Sequence, residues 1–148
     1  MSGDVRRVVH VIDGLGTGGA ERSLMELVVA ARTAGWASTV VCLHRRDQGV
    51  QSSALASGTD VRFVKARSLV GRVRALRRAI DDVDPDLVHS TLYRATLVSR
   101  LACRGGRAPV LTSLVNTPYA ETRIDKGRTT VSWKAVIPVE RWREACIR

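Results

Sequence analysis

The chain has 148 residues with a hydrophobic fraction of 45% and a mean hydropathy of -0.04, which suits one globular domain with a real core and excludes a disordered chain. A formal charge of +10 and a pI near 10.9 point to anionic partners such as phosphates, acidic lipid headgroups or nucleic acid. The three cysteines, Cys42, Cys103 and Cys146, form no CxxC pair, which argues against a disulfide framework and against a zinc site; no apolar run is long enough to span a membrane or to serve as a signal-peptide core, and a cytoplasmic location is expected.

Val8 to Ile12 is a short β-branched run that ends at Asp13-Gly14, and it predicts a buried strand. A glycine-rich turn, Gly14 to Gly19, follows. Ala20 to Ala34 carries Leu24, Leu27, Val28 and Ala31 at helical spacing, with Gly35 as a C-terminal stop. Thr39 to Leu43 and Val61 to Val64 read as two further strands. Val70, Val73, Leu76, Ala79 and Ile80 line one side of a helix whose other side is arginine, closed by Asp84-Pro85. Leu87 begins a fourth strand, Ala95 to Cys103 reads as a short helix, and Pro109 to Ser113 as a fifth strand. Strands alternating with helices predict an α/β fold with a doubly wound parallel sheet. In such sheets the ligand lies beyond the carboxyl ends of the strands. Those ends are Asp13 to Gly19, His44 to Arg46, Lys65 to Arg67, His89 to Arg94 and Ser113 to Tyr119.

Gly14-Leu15-Gly16-Thr17-Gly18-Gly19 fits the spacing G-x-G-x-x-G between a strand and a helix. Glycines let the main chain approach a phosphate, and the helix N-terminus presents free N–H groups. A tight turn that binds nothing is the plain alternative. A dinucleotide site would place an acidic residue at the end of the second strand, where this chain has His44-Arg45-Arg46; those arginines suit only an NADP-binding oxidoreductase. A P-loop is excluded, since Ala20-Glu21 follows where Lys-Ser/Thr is needed. A non-enzymatic basic binding module is a further alternative, but nucleic acid is disfavoured as its partner by the few aromatic residues that could stack on bases. His89, Tyr93, Arg94, Asn116 and Tyr119 each read either as site residues or as ordinary packing and turn residues.

The run His10 to Arg22, together with Pro85-Asp86-Leu87-Val88-His89-Ser90 and Asn116-Thr117-Pro118-Tyr119, resembles glycosyltransferase family 4 enzymes of the GT-B fold over roughly residues 5 to 120. The resemblance implies a Rossmann-like first domain over residues 1–120, with 121–148 an incomplete remainder of it. It implies a retaining sugar transfer from a nucleotide-sugar co-substrate, without a further cofactor or a metal. Gly16, Gly18 and Gly19 would approach the donor phosphates. Glu21, Arg22, His89, Tyr93, Arg94, Asn116 and Tyr119 would stand on the acceptor side. No catalytic residue is assigned. Thr91 and Val115 stand where many members have histidine, which marks a divergent subgroup. The acceptor is unspecified; the positive charge suits an anionic or lipid-linked one at the inner membrane surface. The family pairs this domain with a second one that holds most of the nucleotide. The chain is too short to contain both, so a truncated chain, or a natural one with a separate C-terminal domain, is expected.

Overall fold

The computed structural model describes residues 6–46 and 48–113, all within the first of two units, Met1–Asn116 and Thr117–Arg148. Five strands, β1 (Arg7–Ile12), β2 (Ala37–Cys42), β3 (Asp60–Phe63), β4 (Leu87–Thr91) and β5 (Val110–Ser113), form one sheet in the order β3-β2-β1-β4-β5. Every pairing is parallel. The order reverses between β1 and β4, which opens a crevice at their carboxyl ends. The α/β, Rossmann-like expectation is met.

Helices α1 (Gly19–Thr33), α2 (Gln51–Ala56), α3 (Leu69–Val83) and α4 (Tyr93–Ala102) connect the strands. The pleat divides the sheet's side chains between two cores. Val9, Val11, Val41 and Val88 pack with Leu76 and Ile80 of α3 and with Ala95, Val98 and Ala102 of α4. Ile12, Val40 and Cys42 pack with Leu24 and Val28 of α1 and with Ala54 of α2. Both faces of the sheet are thus covered, which explains why the strands read as continuous β-branched runs rather than alternating ones.

Four sequence expectations change. Helix α2 has no counterpart in the reading above, since six residues with one buried side chain leave no periodic signal. Leu27 is exposed, and Met25 packs partly against the core in its place. Val70 is 61% exposed, because the first turn of α3 lies short of the sheet. Helix α4 begins at Tyr93 rather than Ala95, so Tyr93 and Arg94 belong to its first turn and not to a loop.

Candidate functional site

The glycine turn leaves β1 at Asp13 and enters α1 at Gly19, with Gly18 as an extended N-cap that makes no side-chain capping bond. The N–H groups of the first helical turn therefore point outward without a side-chain acceptor from the cap. Gly16, Thr17, Gly18 and Glu21 line one wall of a cavity of about 530 Å³. Arg45, Arg46 and Gln48, from the segment after β2, line the other. Two arginines and the residues at the start of α1 thus line the same space.

Each glycine has its own role. A side chain on Gly19 would meet nothing within 4 Å, so this position looks into open space. Gly18 lies under the Glu21 carboxylate, and Gly16 is 3.6 Å from Glu21 Oε1 at its imagined Cβ. The turn is held from behind. Val50 N–H donates to the Gly16 carbonyl at 3.2 Å, and a Cβ on Gly49, at φ 110°, would run into the Gly16 carbonyl group. Only glycine fits this close approach of two main chains.

Charge gathers beside the turn. The Asp13 carboxylate lies by the Ala95 amide in the first turn of α4, and its Oδ1 is buried without a hydrogen-bond partner. Burial pushes its pKa up, against the opposing pull of that amide and of Arg94, His44 and Arg46. His44 is held below its usual pKa by desolvation, then by Arg72. Arg45 is steered by stacking on Phe63, its guanidinium carbon 4.8 Å from the ring centre. Leu92 takes φ 74° at the β4–α4 turn, a conformation costly for a leucine, and this bend delivers Tyr93 and Arg94 to the crevice edge.

His89 is the third of five residues in β4, not at the strand's mouth, and it is buried. Its register partner is His10 on β1. The two Nδ1 atoms lie 3.0 Å apart and His89 Nε2 is 2.7 Å from Ser113 Oγ. Desolvation lowers the pKa of His89, and desolvation followed by the neighbouring His89 lowers that of His10 to about 4. Both rings are therefore neutral at physiological pH, and one Nδ1–H donates to the other Nδ1.

The structure brings Gly16, Gly18 and Glu21 together around one cavity, while Gly19, the first residue of α1, is not among its lining residues and faces open space. Arg22 is exposed and is not among the cavity's lining residues. Tyr93 and Arg94 stand across the β1–β4 crevice, while His89 lies inside the sheet. Asn116, Tyr119 and Val115 lie outside the described residues. Sequence reasoning did not single out Asp13, Gln48, Gly49 or His10. A carboxylate closing a buried strand beside a glycine turn was the one available signal, at Asp13.

Comparison with known proteins adds to this geometry. A sequence model described as Glycosyltransferase Family 4 matches residues 17–146. The chain belongs to glycosyltransferase family 4. Among solved structures, a glycosyltransferase from Rickettsia africae ESF-5 is similar, with a TM-score of 0.61 and 14% sequence identity. The match covers 83% of this chain and 34% of that one, so the chain spans about a third of its length. At this identity the likeness speaks for the fold. No curated protein matches the chain.

Proposed function

We propose that this chain of glycosyltransferase family 4 forms the acceptor-side domain of an enzyme that transfers a sugar, with retention, from a nucleotide-sugar donor to an anionic or lipid-linked acceptor. The observation that carries the reading is the cavity between the Gly16–Gly18 turn and Arg45-Arg46 at the N-terminus of α1. A diphosphate needs close main-chain N–H groups and compensating cations, and this space offers both. As the donor bond breaks, negative charge grows on the diphosphate, and fixed cations at that point stabilise the transition state more than the ground state. Tyr93 and Arg94, in the first turn of α4, stand where an acceptor would enter, and the Glu21 carboxylate over Gly18 lies between that side and the diphosphate space. The second domain that the family resemblance implies would hold the rest of the donor.

The test is a titration of the chain with uridine and guanosine diphosphates and, separately, with NADP, followed by amide chemical shifts. Nucleoside diphosphates should move the amides of Gly16 to Glu21. A response to NADP alone would favour the oxidoreductase reading, and no response of the turn to any of them would sink the proposal. In a full-length relative carrying this segment, Gly19→Val should remove transfer while the protein stays folded, because the valine fills space that is open in the structure. Normal transfer by that variant would also count against it.

A further inference from the structure

A basic and apolar patch at the carboxyl edge of the sheet, beside the outer strand β3, is not part of the cavity. The loop after β3 and the first turn of α3 expose Lys65, Arg67, Ser68, Leu69 and Val70 in near succession. Leu69 is 48% and Val70 61% exposed, whereas the helix meets the core only further along, through Leu76 and Ile80. Arg74, one turn beyond Val70, is exposed as well. No Asp or Glu occurs between Lys65 and Arg78. Among the described residues, Lys65, Arg67 and Arg74 take part in none of the ion pairs.

This patch has a fixed shape. Ser68 Oγ caps α3 by accepting from Gly71 N at 3.1 Å, and Arg72 Nε donates to the Ala66 carbonyl at 3.2 Å. A Cβ on Gly71 would stand 3.0 Å from Ser68 Oγ and 3.1 Å from Ala66 Cβ, so loop and helix are closely fitted. The patch follows β3 at the carboxyl edge of the sheet, the same edge as the glycine turn. Arg72 helps to lower the pKa of His44, which follows β2 at the same edge of the sheet.

We propose that the segment from Lys65 to Arg74 docks on an anionic lipid bilayer, with Leu69 and Val70 entering the headgroup region and Lys65, Arg67 and Arg74 meeting the lipid phosphates. Two aliphatic side chains amid unpaired cations suit an interface that is apolar below and negative above. A nucleic acid would use the cations but has no stacking partner in leucine or valine. Docking in this way turns the carboxyl edge of the sheet, which also carries the glycine turn, toward the membrane, where a lipid-linked acceptor would be met; that last consequence rests on the function proposed above, while the docking itself does not.

The experiment is flotation of the full chain with vesicles of phosphatidylcholine, with and without phosphatidylglycerol. Binding should require phosphatidylglycerol. The double variants L69D/V70D and R67Q/R74Q should each lower it on the order of ten-fold. All four positions are exposed, so circular dichroism and melting should be unchanged, and the charge-neutralising pair keeps the test valid if the aspartates disturb the helix. Absence of binding, equal binding to neutral vesicles, or binding unaffected in R67Q/R74Q would overturn the proposal. So would failure on vesicles combined with tight binding of duplex DNA through the same residues. The nucleoside diphosphate titration should be unaltered in both variants, so a failure here stays separate from a failure of the transferase reading.

Discussion

Two polar groups that the sheet would ordinarily exclude stand at its centre. His10 is 2% exposed, and with a pKa near 4 it stays neutral in the fold where an unfolded chain would bind a proton at about 6.5. The folded value is depressed, so the unfolded state binds more protons and stability falls as pH drops from about 6.5 toward 4. The loss reaches about 3 kcal/mol for this residue alone when both states have titrated. His89 shifts in the same direction and adds to it. Thermal melts at pH 7.5 and 4.5 should differ by many degrees, and a proton titration followed at the His10 ring should show it neutral throughout pH 5 to 7. A midpoint for His10 at its ordinary value would refute the pairing. Nothing local in the sequence announced this pair: His10 and His89 are 79 residues apart and meet only through the β1–β4 register. Asp13 carried a local signal at the end of a buried strand, but its neighbour Ala95 belongs to α4, an element far along the chain.

At the scale of elements, the glycine turn divides into a side that faces open space and a side that faces the protein. Gly49→Ala should destabilise the fold by about 1–3 kcal/mol, as φ 110° disfavours any side chain and the added carbon meets main chain that cannot swing away. Gly19→Ala should change stability little, since its new atom has no neighbour. Urea unfolding of the two variants measures the contrast, and equal losses would contradict it. Most elements were legible beforehand because long β-branched runs and helical periodicity are properties of the sequence itself. Val8 to Ile12, Leu24 and Val28 sit where the pattern puts them. Val70 fits the same pattern and does not, because periodicity gives the face of a helix but not where along its length the sheet begins.

For the whole molecule, the order β3-β2-β1-β4-β5 leaves β5 at the edge among the described residues, with Leu111 55% exposed and Thr112 beside it. An apolar edge without charge invites pairing with another copy. Size-exclusion chromatography with light scattering should show concentration-dependent association of the chain, and Leu111→Lys should reduce it. A monodisperse monomer across concentrations would argue that the edge is protected. The expected association runs against a net charge of +10, which favours solubility, so raising the salt should strengthen it.

The joint between Gly16 and Gly49 holds main chain to main chain through the Val50 N–H and the Gly16 carbonyl. It contains no group that titrates, oxidises or exchanges a counterion. Salt that screens Arg45 and Arg46 changes the forces across the cavity without weakening the main-chain joint that gives the turn its curvature. The curvature of the turn and the potential of the cavity are therefore controlled by different atoms.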